Sequence, residues 1–340
     1  MLVIVTAVTA IFIGFYLNNF LKDNLCESYI NKLILIAKSK NIPNFIYGKT
    51  GYSINSDVKI FYEDLCLVTK PKSTVLLING AAESLIQWPD QMIRTILKND
   101  FRVIRFDNRG VGESDWIKNW SKSNDYTLED MAKDALSVTN HLMIEKFHVI
   151  GYSTGGMIGQ ILAINYPEKI LSLTNLMSSG YLFDPEAIKP DSKKIGILRK
   201  LILTYRNNER DLDKVLKFYF KLDHLWIGSD NYPLNYIAQI HKTIYEIKFR
   251  NGFNKKAFDQ HTRAIKNSGS RYRKLKTIKA PTLLIHGTDD PLIKVSHSIK
   301  LATLIHGSKL VLLKGMGHDL NKNFKNQINS IILPHILQNS

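Results

Sequence analysis

FHVIGYSTGGMIGQILAINYP spans residues 147–167. It begins as an apolar run and reaches Gly151-Tyr152-Ser153-Thr154-Gly155. It continues with Met157, Ile158, Ile161, Leu162 and Ile164 at helical spacing. Strand, sharp turn with a central serine, then helix is the context in which G-x-S-x-G carries a mechanism. A serine at such a turn holds a strained backbone conformation, so the residues two places either side must be small. Gly151 and Gly155 meet that demand. The bland alternative is a serine that only caps the helix, and the rest of the chain decides between the two.

Outward from this stretch the chain alternates strand and helix. Thr74 to Ile78 (TVLLI) and Arg102 to Phe106 are buried-strand runs before it, with helices expected over Trp88 to Lys98 and Leu128 to Met143. After it come strands at Ile170 to Leu176, Pro281 to His286 and Leu310 to Leu313, with helices at Val295 to Ile305 and about Asn323 to Leu337. Gly51 to Thr69 alternates as an edge hairpin does. Repeated βα units specify a mostly parallel, doubly covered sheet. Between Gly180 and Lys279 the alternation stops. Helical periods at Ile195 to Tyr205, Val215 to Phe220 and Tyr236 to Phe249 mark a helical insertion over the sheet's C-terminal edge. The expected division is therefore 1–50 as an apolar segment and connector, 51–180 with 280–340 as the α/β core, and 181–279 as a cap.

A serine hydroxyl needs a base to take its proton as it attacks, and the base needs a carboxylate to hold its tautomer. The base candidate is His318 in Gly315-Met316-Gly317-His318, directly after LVLL. The acid candidate is Asp289 or Asp290, in the loop after PTLLIH. Both loops follow late strands, in the chain order Ser, acid, His. The oxyanion needs two N–H donors. Thr154, the residue after the serine, supplies one, and Ala81 in the loop after TVLLI is best placed for the other. Apolar residues of the insertion, among them Phe218 and Trp226, are expected to wall a pocket for a small lipophilic ester.

LLINGAAESLIQWPDQM, FRVIRFDNRGVGES, HVIGYSTGGMIG, APTLLIHGTDDPLI and GMGHDL together resemble the α/β-hydrolase superfamily, from about Gly51 to Leu337. The pattern is most similar to the aclacinomycin methylesterases and related esterases and lipases. The resemblance implies an α/β-hydrolase fold with a helical cap, a carboxylic-ester hydrolase activity and no cofactor. It implies Asp290 as the triad acid beside Ser153 and His318, with Asp289 as the fallback. Many members carry His-Gly where this chain has Asn79-Gly80, so Asn79 is expected to brace the oxyanion loop. Arg109 and Asp107 match a turn motif and are expected to brace a loop near the site.

Two other readings use the same residues. An aminopeptidase or amidase on the same triad needs acidic cap residues for a substrate ammonium, and Glu186, Asp191 and Asp223 are the candidates. A non-catalytic binding module on the same scaffold fits poorly with an intact serine, acid and histidine.

Composition narrows the rest. A length of 340 residues with 44% hydrophobic content suits one α/β domain with an insertion. Two cysteines, Cys26 and Cys66, make no disulfide framework and have no metal-ligand spacing, and no phosphate-binding glycine loop occurs, so neither metal nor nucleotide is expected. The net charge of +16 is spread along a chain rich in lysine, isoleucine and asparagine, and no nucleic-acid partner is expected. One basic cluster, Arg263, Lys266, Arg271, Arg273, Lys274, Lys276 and Lys279, reads as a solvated face. Leu2 to Leu17 is an uncharged apolar run that Asn18 to Leu21 extends toward the roughly 20 residues a spanning helix needs. With no basic residues before it and no small-residue cleavage site after it, residues 2–21 read as an uncleaved membrane anchor. Lys22, Lys32, Lys38 and Lys40 then place the catalytic domain in the cytoplasm. Without an anchor the whole chain would be cytoplasmic.

Overall fold

The computed structural model describes residues 26–121, 125–205, 211–229, 235–320 and 322–340, with no description of side chains 322–325. The expected anchor lies outside the described residues. Among the described residues no helix is long and apolar enough to cross a membrane.

Eight strands form one sheet: β1 (Lys49–Asn55), β2 (Val58–Leu65), β3 (Thr74–Ile78), β4 (Arg102–Phe106), β5 (Phe147–Tyr152), β6 (Ile170–Leu176), β7 (Thr282–Gly287) and β8 (Lys309–Leu313). Their order is β1-β2-β4-β3-β5-β6-β7-β8. The β1–β2 hairpin and the β2–β4 pair are antiparallel, and every other pair is parallel. TVLLI is buried along its whole length, as a strand covered on both faces must be.

Side-chain alternation divides those apolar runs between two layers. Leu76 and Ile78 point to one side, where they meet Leu128, Met131 and Ala135 of α3 (Leu128–His141) and Met157, Ile158 and Ile161 of α4 (Thr154–Asn165). Val75 and Leu77 point to the other, against Met92, Ile93 and Ile96 of α2 (Asp90–Leu97) and Ile328, Ile332 and Ile336 of α11 (Lys322–Leu337), the helix after α10 (Ser296–Leu304). Each fully buried Leu or Ile stabilises the fold by about 1.5–3 kcal/mol.

Between β6 and β7 the described residues hold α5 (Ser192–Tyr205), α6 (Leu212–Leu225), α7 (Tyr236–Phe249), α8 (Ala257–Ser268) and a single turn, α9 (Tyr272–Leu275). The sequence periods marked α5 to α7. The last two fall in the basic stretch, where charge hid a helix whose buried face is Ala257, Gln260, His261, Ala264 and Ile265. That stretch is not one solvated face. Arg271 is buried, donating to Gln160 Oε1 at 3.1 Å and to the Ser179 carbonyl at 2.9 Å, and Arg263 pairs with Asp125.

The connector before the sheet, expected to be helical in its first part, forms a helix that docks on the cap. Ile30, Ile34 and Ala37 of α1 (Glu27–Lys38) pack on Leu216 and Phe220 of α6 and on Ile240 and Ile244 of α7. Phe220 is thereby covered by α1.

Candidate active site

Ser153 sits at the turn between β5 and α4 with φ +53° and ψ −116°, a conformation L residues rarely adopt. A side chain on Gly151 would run into the backbone of Gly155, and one on Gly155 into the carbonyls of Ile78 and Asn79. The two glycines flanking the motif are therefore required by space. Strand β6 holds the turn from beneath: Ser153 N–H donates to the Leu176 carbonyl at 2.8 Å, and Ser178 Oγ to the Ser153 carbonyl at 2.6 Å.

The loops after β7 and β8 bring two side chains to this serine. His318 Nε2 lies 3.1 Å from Ser153 Oγ, and His318 Nδ1 lies 2.6 Å from Asp290 Oδ2. Asp290 Oδ1 accepts the N–H groups of Leu292 and Ile293, each at 2.8 Å. His286 Nε2 is 3.2 Å from Asp290 Oδ2. Asp289 faces away, accepting from Thr288 Oγ1 at 2.7 Å and from Ser229 N–H at 3.3 Å. Burial alone would push the Asp290 carboxyl up, but the His318 and His286 rings hold it well below the usual carboxylate range. Burial would likewise depress His318, yet Asp290, then Glu83 and Asp319, keep it above its ordinary value.

The loop after β3 lies beside the serine. Ala82 has φ +58°, and Asn79 Nδ2 donates across the loop to the Ser84 carbonyl at 2.5 Å. Asn79 thus braces this loop. Asp107 and Arg109 also serve as braces: Leu85 N–H donates to Asp107 Oδ1 at 2.8 Å, and Arg109 pairs with buried Asp134 at 2.6 and 2.7 Å.

The family of proteins with the alpha/beta hydrolase fold matches this chain over residues 73–323. The chain belongs to the α/β-hydrolase fold family. Among relatives, it is 26% identical over 262 residues to the rhodomycin D methylesterase of Streptomyces peucetius, covering 72% of this chain and 85% of that protein. It is 27% identical over 266 residues to the 2-hydroxy-6-oxononadienedioate/2-hydroxy-6-oxononatrienedioate hydrolase of Escherichia coli, covering 76% and 85%. The meta-cleavage product hydrolase from Pseudomonas fluorescens superposes with a TM-score of 0.65 at 20% identity, over 87% of this chain and all of that one. This chain is a hydrolase of that fold, with a methylesterase among its relatives.

The expected pocket residues of this hydrolase part company. Trp226, the residue that ends α6, meets the site through its backbone, its carbonyl accepting His318 N–H at 2.8 Å. Phe218 packs at a helix seam instead, its ring 6.1 Å from Tyr205 and 5.1 Å from Tyr219. Of the acidic cap candidates, Glu186 pairs with Lys300 at 3.1 Å and Asp191 caps the start of α5 through Lys194 N–H. Asp223 lies in the field of Glu83 and Asp319. It accepts from Gln239 Nε2 at 3.0 Å, and burial together with Glu83 and Asp319 pushes its carboxyl up to about 7. Burial lifts Glu83 to about 7 as well, against the pull of His318 and the Gly80 N–H.

Glu83 escaped sequence reasoning because nothing local separates it from an ordinary surface carboxylate. Asp319 adjoins His318 in the chain, a signal that was available.

Proposed function

We propose that this protein cleaves a small, lipophilic carboxylic ester through an acyl-enzyme on Ser153. The observation that carries the reading is the hydrogen-bonded chain from Ser153 Oγ through His318 to Asp290, at 3.1 and 2.6 Å, set on a strained strand-to-helix turn. As Ser153 Oγ attacks the carbonyl carbon, His318 Nε2 takes its proton, and Asp290 keeps Nδ1 protonated and stabilises the imidazolium. The N–H groups of Thr154 and Ala81 receive the oxyanion, each worth about 2.7–4 kcal/mol at the transition state. Collapse breaks the ester C–O bond, and the leaving alkoxide takes the proton from His318. Water, deprotonated by the same histidine, then releases the acid and restores Ser153. The likeness to rhodomycin D methylesterase supports an ester as the substrate. Trp226 contributes to the pocket wall, and Leu2 to Leu21 tether the enzyme to a membrane with the catalytic domain in the cytoplasm. A panel of nitrophenyl esters of graded chain length tests the reaction. Retention of the full-length chain in membranes through an alkaline wash tests the tether.

A second reading has its own support. Glu83 and Asp319 act on the reacting histidine and Asp223 acts on both of them, a negative field that suits a substrate carrying an ammonium group. On this reading the same triad cleaves an amino-acid amide or ester. Amino-acid arylamides in the same panel separate the two.

A further inference from the structure

We infer that His261, on cap helix α8, is the positioning residue that sets the oxyanion loop. This rests on the ester-hydrolase reading of Ser153 and extends it into the cap. His261 is fully buried. Its Nε2 lies 2.9 Å from the carbonyl of Arg109, a group that can only accept, so Nε2 carries the proton. Its Nδ1 is therefore bare, and it accepts the N–H of Ala82 at 3.0 Å. Both ring nitrogens are committed, and the neutral tautomer is fixed by geometry. Burial agrees with it, pushing the ring's pKa down to about 4.

The bond falls where the loop needs it. Ala82 holds φ +58°, a region an alanine leaves unless something retains it. The peptide linking Ala81 to Ala82 follows directly on the N–H assigned to the oxyanion. Releasing Ala82 lets the loop relax from φ +58° and displaces the adjoining Gly80–Ala81 peptide, which carries the N–H of Ala81. A second cap residue holds the far end of the loop: Glu246 of α7 accepts from Ser84 Oγ, while the Ser84 carbonyl accepts from Asn79. The cap is thus part of the machinery that shapes the oxyanion site, in addition to covering it. No motif surrounds His261, which stands just before the basic cluster that opens at Arg263.

The test compares His261→Leu, His261→Asn and His261→Gln with wild type in the full-length protein. The readouts are kcat and KM on a nitrophenyl ester and affinity for a trifluoromethyl ketone, which adds to serine as a tetrahedral oxyanion. Leucine removes both hydrogen bonds and asparagine is too short to span both partners, so either should lower kcat by about a hundredfold, the cost of misplacing a catalytic group by about 1 Å. KM should stay within about threefold, and ketone affinity should fall in step with kcat. Glutamine can offer an acceptor to Ala82 and a donor to Arg109, and should keep kcat within about fivefold of wild type. A folded leucine or asparagine variant with wild-type kcat and ketone affinity overturns the inference, as does a glutamine variant no better than asparagine. Wild-type protein inert to every ester and to the ketone removes the ester-hydrolase reading and the inference with it. A reactive wild type with unchanged variants removes the inference alone.

Discussion

Asp290 engages His318 through one oxygen while its other oxygen is held by two backbone N–H groups, so the carboxylate cannot rotate away from the ring. Asp289, one residue earlier, is turned toward Thr288 and Ser229. Asp290→Asn should therefore lower kcat by about 10⁴, because the amide favours the wrong tautomer of His318. Asp289→Asn should stay within a few-fold of wild type. Steady-state kinetics on one ester decides this, and a crippled Asp289 variant beside a competent Asp290 variant would show that the acid has been misassigned.

The acid limb of activity should lie above the ordinary histidine value of about 6.5. His318 works as a base only when neutral, and its pKa is raised, so kcat/KM should climb with pH through that raised value. Glu83, at about 7, gains its charge over the same interval and favours the protonated ring, which broadens the limb. Glu83→Gln removes that charge and should move the limb to lower pH and sharpen it. A limb that stays put or rises in a pH profile of the variant would take Glu83 out of the field of His318.

The carboxylates also make a prediction about selectivity. Above pH 8.5 Glu83 and Asp223 are both ionised. Glu83→Gln combined with Asp223→Asn should then lower kcat/KM on a substrate bearing an ammonium by at least about tenfold, the value of a lost charged hydrogen bond. A neutral ester should change by no more than about threefold. Equal losses on both substrates would mean that the carboxylates support the loop rather than select the substrate.

Short-range interactions are encoded locally in the sequence, and long-range ones depend on the assembled fold. The strands TVLLI, Arg102 to Phe106 and Ile170 to Leu176 match the sequence to the residue, because nearly every position is buried and apolar residues dominate even where Arg105, Ser172, Thr174 and Asn175 interrupt them. Ser153, His318 and the Asp289-Asp290 pair stand at strand ends, so the topology alone places them together. The approach of Asp223, the docking of α1 on α6 and α7, and the reach of His261 to Ala82 depend on how the cap sits on the sheet. No local period encodes that. Phe218 illustrates the limit: it counts among the apolar residues of the insertion, and which neighbours its ring meets, Tyr205 among them, depends on how the cap helices pack.

Arg109 and Asp134 predict a stability effect separate from the chemistry. The pair is buried, bidentate at 2.6 and 2.7 Å, and shared with Asn55. Arg109→Met leaves Asp134 without its ion partner and should destabilise the fold by about 3–5 kcal/mol. Equilibrium denaturation in urea reads this as a lower midpoint. A shift equivalent to less than about 1 kcal/mol would show that Asp134 is neutralised or solvated when alone.

If Ser153 is the nucleophile, it is the residue that a covalent serine reagent modifies. Wild-type protein treated with a fluorophosphonate should gain one adduct, located by peptide mass spectrometry on Ser153. Ser153→Ala, with an unchanged circular dichroism spectrum, should gain none. An adduct that persists on the alanine variant, or one found on another serine of the wild type, would contradict the account.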